Sequence, residues 1–580
     1  MADSAPGSVL PTRSQHSMQE AEWQFDTVDL RPVVRWLAAR RPSDADAARG
    51  EGRIDGSRSA VDRSVAFVPL EPRTMVDTYV DTSDWRFHRA GLSVRLRSSN
   101  ESSEGTIQTL EESSDGPRTK TEVRSPLPSS DVESLMEAES RLGAWVRSLA
   151  GGARPRSLFT LRCQRRPYAI LVDGESVGEV ALDETTLVQP DEVEPPRLRR
   201  VGVEVAPVAV ERIRPFVEDL KAACRLAPAG ASTYELGLLT FGITPSGRPE
   251  LGDTTVSENP SMGELAYAVL RRTFLAFLEA EPWARIGEDR EALHDMRVAA
   301  RRMRACLSLF DPVFSGRAQA LRSELQWIGN LLGVVRDHDT QLAWLASWSE
   351  ITSSDDRSSL RVLSAVLTSK RERARTRMLR TLDSQRFARL VARLTRLLRR
   401  GPPKRPPATR ASAAAVFPGL IGARYARMKK AGKKLDADSP PEAYHRLRIR
   451  CKRLRYAVES ARDVYGGPAV GYVQALARLQ DLLGLLQDAH VATSRLQELL
   501  QREARRLPPR AIFMMGRVSQ RYEQQARKLR KRFPKLYQAV QGKLWSRLQR
   551  AMEKAGGAVG AAPWPAISQP TPPPTPPVEV

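Results

Sequence analysis

Cysteine is scarce: Cys163, Cys224, Cys306 and Cys451 are the only four in 580 residues, and no two form a CxxC pair. Thiols so far apart support neither a disulfide framework nor a zinc knuckle. Long apolar runs are missing too. Nothing approaches the roughly 18 consecutive apolar residues that a membrane helix needs, and the opening MADSAPGSVLPTRSQHSMQE holds no apolar core of the kind a secretory leader carries. The expectation is a soluble, cytoplasmic protein with no membrane partner. Aromatic residues make up only 6% of the chain, which leaves little material for base-stacking platforms.

Basic residues, by contrast, are abundant, and they are unevenly placed. Residues 1–250 hold 32 Lys and Arg against 38 Asp and Glu, whereas residues 251–580 hold 59 against 30. A positive field concentrated in the second part raises the local concentration of anionic polymers and speeds their capture. The length predicts two or three domains. From 18 to 242, short alternating runs such as Met75–Thr82, Leu92–Arg97 and Ala169–Leu187 predict an antiparallel β domain. A polar inserted loop is expected at 44–62 within it.

Residues 243–260, rich in Pro, Gly, Ser and Thr, read as a linker. From 261 to 555 the apolar period becomes about 3.6, which predicts helices throughout. The Pro-rich segment Gly401–Arg410 interrupts them, and 556–580 has the composition of a disordered Pro-rich tail.

The helical part repeats itself. His294-Asp-Met-Arg297-Val-Ala-Ala-Arg301-Arg302-Met-Arg304 returns 151 residues later as His445-Arg-Leu-Arg448-Ile-Arg-Cys-Lys452-Arg453-Leu-Arg455. Leu332-Gly333 and Leu483-Gly484 share the same offset. Two copies, about 262–400 and 412–555, related by a pseudo-two-fold, are expected. At about 100° per residue, His294, Arg297, Arg301 and Arg304 fall on one stripe, as do His445, Arg448, Lys452 and Arg455. Met296, Ala299, Met303 and Leu307, and in the second copy Leu447, Leu454, Ala457 and Val458, lie behind them.

Like charges stacked at i, i+3 and i+4 cost helix stability unless anions occupy them. Arginine suits phosphate because its planar fork donates two parallel hydrogen bonds. The competing reading is a pair of solvated faces. His294, His338, His445 and His490 show no metal-ligand spacing. Asp337 and Asp339 read as partners that orient neighbouring arginines.

At these residues the sequence resembles the CHAD family, α-helical domains named for their histidines. LHDMRVAARRMRACLSLF, LLGVVRDHDTQL, YHRLRIRCKRLRYAVE and LQDLLGLLQDAHVA carry the resemblance. It implies paired helical bundles around a basic cavity that binds inorganic polyphosphate, with His294, Arg297, Arg301, Arg302, Arg304, His445, Arg448, Lys452, Arg453 and Arg455 as the binding residues. Association with polyphosphate granules would follow.

The first 240 residues resemble a degenerate CYTH domain, the triphosphate tunnel fold, through Tyr79-Val-Asp81-Thr82, the strand around Arg95 and Arg97, Glu179-Val-Ala-Leu-Asp183 and Ser232-Thr-Tyr-Glu. The whole is thus expected to be an α+β protein, a β tunnel or barrel followed by an all-α pair of bundles. The tunnel family opens on Glu-x-Glu-x-Lys; here Glu20-Ala-Glu22-Trp-Gln24 has lost the lysine. Gln108 and Thr233 likewise stand where the resemblance implies cations, and Gly202 stands where it implies a carboxylate beside Glu204. Missing cations imply weak or absent catalysis, no catalytic residues and no required cofactor. The alternative is a metal-dependent triphosphatase in which Glu20, Glu22 and Glu204 hold Mg²⁺ or Mn²⁺ and Arg95 and Arg97 bind phosphates. Nucleic acid is not expected as the main ligand, because both cationic stripes lack interleaved aromatics. Protein partners leave no trace in the sequence.

Overall fold

The computed structural model describes residues 21–40, 65–100, 102–110, 118–119, 122–187, 196–314, 316–350, 354–503 and 509–556. Glu20, the expected loop at 44–62 and the tail beyond Gly556 lie outside them. The chain divides into two compact units, Met1–Arg248 and Pro249–Val580. No helix among the described residues is long and apolar enough to cross a membrane.

The first unit is built on β1 (Ala21–Asp26), β2 (Val65–Pro69), β3 (Arg73–Asp81), β4 (Leu92–Ser99), β5 (Ser103–Thr109), β6 (Arg118–Thr119), β7 (Glu122–Leu127), β8 (Arg156–Val172), β9 (Glu175–Leu187), β10 (Arg197–Val205) and β11 (Ala227–Pro228). All pair antiparallel in the order β11-β1-β10-β9-β8-β3-β4-β5-β7, with β2 on β8 and β6 on β1. Among the described residues the path from β11 to β7 is that of an open sheet. Strand β6 pairs with β1 in a two-residue ladder whose register sets Arg118 opposite Glu22.

Helices α1 (Arg31–Ala38), α2 (Arg86–Arg89), α3 (Val132–Glu137), α4 (Arg141–Ala150), α5 (Val210–Cys224) and α6 (Thr233–Thr240) accompany the sheet. The period of two along a strand decides what faces where. On β1, Trp23 and Phe25 join Val33 and Leu37 of α1 and Ile213 and Val217 of α5 in one core, so the intervening Glu22, Gln24 and Asp26 are presented on the opposite face.

The second unit is helical: α7 (Met262–Ile286), α8 (Arg290–Leu309), α9 (Ala318–Glu350), α10 (Ser354–Leu382), α11 (Gln385–Arg400), α12 (Pro407–Arg410), α13 (Ala413–Gly432), α14 (Pro441–Ser460), α15 (Arg462–Glu503), α16 (Pro509–Ala539) and α17 (Lys543–Gly556). The offset of 151 carries Arg290–Leu309 onto Pro441–Ser460 residue for residue. The same offset relates the backbone at the start of each copy. Met262 N donates to the Ala411 carbonyl at 2.8 Å and Ala413 N to the Pro260 carbonyl at 3.0 Å, a reciprocal bridge centred on Ser261 and Ser412. Two-fold relatedness is built into that pair of bonds.

The apolar sides of α8 and α14 are fully withdrawn from solvent. Met296, Met303 and Leu307 in one copy, and Leu447, Cys451 and Leu454 in the other, all lie in a single core. At about 25 cal/mol per Å² of apolar surface this burial fixes the rotation of both helices. It thereby fixes the direction in which their cations project.

Candidate functional site

The cationic stripes of α8 and α14 come together. Burial pulls the Lys452 ammonium down to about 7, and the charges of Arg448, Arg301, Arg297 and Arg455 push it the same way, so residues of both copies lie within electrostatic reach of one amine. Burial also lowers Arg297 and Arg448, each of which feels the other copy: Arg448 acts on Arg297, and Arg301 on Arg448. The glycine of each second block serves this approach. A Cβ at Gly333 would stand 3.8 Å from Nη1 of Arg297, and one at Gly484 would stand 3.9 Å from Nε of Arg448. Each guanidinium therefore lies close along the neighbouring helix.

The inner and outer ends of the stripes differ. At the inner end Asp337 and Asp488, again 151 apart, act on Arg297 and Arg448 respectively. Burial raises Asp488, with Arg448, Arg297 and Lys452 opposing. His294 and His445 also sit here, both half-buried. Burial, then Arg336, lowers His294, whereas His445 Nδ1 lies 2.7 Å from Gln487 Oε1. Asp337 pairs with Arg495 at 2.6 Å and Asp339 with Arg371 at 2.6 Å, so these carboxylates do orient arginines. Arg302 and Arg455 both reach Glu459 at 3.6 Å.

The outer end opens into a cavity of about 1550 Å³ walled by α8, α9, α13 and α14. Of the residues expected to bind, Arg301, Arg304, Lys452 and Arg453 line it, while His294, Arg297, Arg302, His445, Arg448 and Arg455 do not. Seven further cations line it that the repeat alignment did not single out: Arg322, Arg424, Arg427, Lys430, Lys434, Arg446 and Arg450. No Asp or Glu is among the lining residues.

Eleven cations facing one space repel one another, and burial brings Arg424 down to about 10, with Arg427 and Arg453 adding to the effect. A signal was available in the sequence: from Leu420 to Leu435 there are six Lys and Arg and no acid, spaced at three and four residues. Arg446, Arg450 and Arg453 form a second stripe on α14 beside the first. Arg301 Nε is buried without a hydrogen-bond partner among the described residues, and Arg304 Nη2 donates to Gln326 Oε1 at 3.0 Å. Buried donors left without acceptors are costly, and an anion in the cavity would supply the acceptors.

In the sheet, charges are instead matched by the chain itself. Arg97 forms a two-pronged pair with Asp77 at 2.7 and 2.8 Å, and Arg95 lies 3.7 Å from Asp77 and 3.8 Å from Glu122. Burial opposes the Asp77 charge, but Arg95 and Arg97 outweigh it and hold the carboxyl below its usual range. Gln24, in the place of the expected lysine, donates from Nε2 to Glu22 Oε1 at 2.6 Å. The buried Arg200 donates to Asp26 at 2.9 Å, to Thr233 Oγ1 at 3.2 Å and to the Ala231 carbonyl at 2.8 Å.

A smaller cavity of about 800 Å³ is bordered by Arg73, Arg97, Arg124 and Arg165 together with Glu104, Glu179 and Glu204. Glu204 stands opposite Glu22 on β1 and Glu179 on β9. Gly202 faces Gln24, and a Cβ there would be 3.9 Å from Glu22 Oε1. Among the described residues no three His, Cys, Asp or Glu side chains converge as a metal site. Glu20, the first of the three carboxylates expected to hold a metal, lies outside the described residues.

These two sites belong to a basic helical module and a phosphate-tunnel-like sheet. Residues 268–497 match the model of the CHAD domain and residues 58–206 that of the CYTH domain. The chain therefore carries a CHAD domain over residues 268–497 and a CYTH domain over residues 58–206. An uncharacterized protein of Mycobacterium tuberculosis (strain CDC 1551 / Oshkosh) is 32% identical over 224 residues, 36% of this chain. The chain spans 40% of that relative's length.

Among solved structures, the CHAD domain from the plant Ricinus communis is similar at 26% identity and a TM-score of 0.40, covering 54% of this chain and 98% of that one. PptA from Streptomyces chartreusis is similar at 22% identity and a TM-score of 0.40, over 49% of this chain and 100% of that one.

Proposed function

We propose that the helical unit binds inorganic polyphosphate in its basic cavity and that the sheet unit is catalytically silent. One observation carries the reading: eleven cations and no carboxylate line a single space of about 1550 Å³. Each internal phosphate of a linear chain carries about one negative charge, so a segment of roughly ten phosphates would neutralise the wall and release its counterions. Tyr456 is the one aromatic residue lining the space, so stacked bases would gain little there. The CHAD match is consistent with this ligand. The test is titration with long-chain polyphosphate at stated salt with single-stranded DNA as competitor. Polyphosphate should displace DNA; tighter retention of DNA at matched salt would reject the assignment.

A second reading is hydrolysis of triphosphate on the sheet, favoured by the row of Glu22, Glu204 and Glu179 across three neighbouring strands. Against it stand the pairing of Arg97 with Asp77 and the place of Arg200 beside Gln24 and Thr233. Each phosphate-binding donor lost to such pairing costs a few kcal/mol in the transition state, hence orders of magnitude in rate. With tripolyphosphate and Mg²⁺ or Mn²⁺ the expected phosphate release is no faster than the blank. Turnover that disappears in Glu22→Ala or Glu204→Ala would instead establish the enzyme.

A further inference from the structure

The last helix of each copy carries a cationic stripe that no cavity absorbs. Helix α11 contains six arginines and no acidic residue. Its apolar side, Phe387, Leu390, Leu394 and Leu397, is buried in the core. Arg386, Arg389, Arg393, Arg396 and Arg400, spaced 3-4-3-4, are all exposed. That spacing forms one rail of about 21 Å at 1.5 Å per residue. Arg386 is held by Glu324 at 2.8 Å and lies 4.0 Å over the Trp327 ring, and Arg389 donates to Gln385 at 3.1 Å. Arg393, Arg396 and Arg400 make no ion pair among the described residues.

In the second copy α17 carries a shorter stripe, with one acid, Glu553, beside it. Trp545, Leu548 and Met552 face inward, while Lys543, Arg547, Arg550 and Lys554, spaced 4-3-4, are exposed. A stripe of like charges weakens a helix by tenths of a kcal/mol per pair. Its appearance in both copies, from unlike sequences, points to a use.

Each of the two helices neighbours an element of the cavity wall. The helix that anchors Arg386 through Glu324 and Trp327 also turns Arg322 and Gln326 into that space. At the end of α17 a Cβ on Gly556 would stand 3.8 Å from Cγ of Pro418, another lining residue. The two stripes thus flank cavity-lining helices, one from each copy.

We propose that α11 and α17 hold the stretches of a linear polyphosphate that overhang the cavity, so that the protein grips long chains more tightly than short ones. This rests on the cavity being the primary polyphosphate site. The ligand is recognised through its backbone charge alone, since no exposed aromatic interrupts either stripe.

The test compares chains of about ten and about one hundred phosphates on wild type, on Arg389→Gln/Arg393→Gln/Arg396→Gln and on Arg547→Gln/Arg550→Gln. Expected are a five- to tenfold weaker affinity for the long chain in each variant, roughly, and a salt dependence shallower by about 0.7 per contact removed. The short chain should bind within about twofold of wild type, which also reports that the variants fold. An unchanged long-chain affinity in both variants, with the short chain still bound, would overturn the overhang alone. A short chain that wild type fails to bind would instead defeat the cavity assignment. If the variants lost duplex DNA but not long polyphosphate, the stripes would be nucleic-acid contacts and the proposal would fall.

Discussion

Replacing Arg301 and Lys452 together by alanine is expected to weaken long-chain polyphosphate binding by about a hundredfold. Both side chains open into the acid-free cavity, and they come from different copies of the repeat. A charge-assisted hydrogen bond contributes on the order of 1.5 kcal/mol, about a factor of ten. Arg301→Ala/Lys452→Ala should also flatten the salt dependence by about 1.4 in the logarithmic slope.

The inner pair behaves differently. Arg297 and Arg448 act on Asp337 and Asp488, of which the first is partly open to solvent and the second exposed. Both arginines are half-buried along neighbouring helices, so Arg297→Ala/Arg448→Ala removes packed side-chain stem as well as charge and should act mainly on the unfolding midpoint. Isothermal titration and calorimetry on both double variants separate the two effects. Equal losses of affinity from both, without loss of stability in the second, would mean that the polymer runs along the whole stripe.

The division into inner and outer halves was only partly legible in the sequence. Periodicity and the shared offset of 151 identified the helices, the duplication and the rotation of α8 and α14, because apolar positions alone decide which side turns inward. Why Gly333 and Gly484 recur was not legible, since their role is to let an arginine from another helix lie close. Nor did the stripe predict that Glu459, four residues from its partner Arg455 on α14, would also take up Arg302, a pairing made by the crossing of α8 and α14. The cavity wall from α13 was missed for a related reason. Its Arg424, Arg427, Lys430 and Lys434 belong to the second copy alone, and a search for matched blocks passes over what the copies do not share.

On the sheet, the alternation along β1 placed Glu22 and Gln24 on one face. The rescue of Gln24 and Thr233 by Arg200 depends instead on β1, β10 and α6 meeting in space.

Binding should also depend on pH with a sign that the cavity dictates. Lys452 is surrounded by Arg448, Arg301, Arg297 and Arg455, with Asp488 as the nearby carboxylate. Burial and those cations bring its ammonium from the ordinary 10.5 down to about 7. A bound polyanion reverses the balance and favours the charged form. Below about pH 7 the amine is already protonated, and this group makes affinity independent of pH. Above it, each binding event must take up a proton, so affinity should fall about tenfold per unit until the bound-state value is reached.

Without ligand the sign is opposite. The unfolded lysine keeps its proton up to about pH 10.4, so the unfolded chain binds more protons between about 7 and 10.4, and stability contributed by this group rises with pH across that window. Dissociation constants at about pH 6, 7, 8 and 9, at constant ionic strength, provide the check. Lys452→Arg should keep the affinity and lose the slope, because guanidinium stays charged throughout. Lys452→Met should lose both while stabilising the ligand-free protein near neutral pH. A slope that survives in Lys452→Arg would assign the titration to another group in the stripe, with His294 the first to exchange.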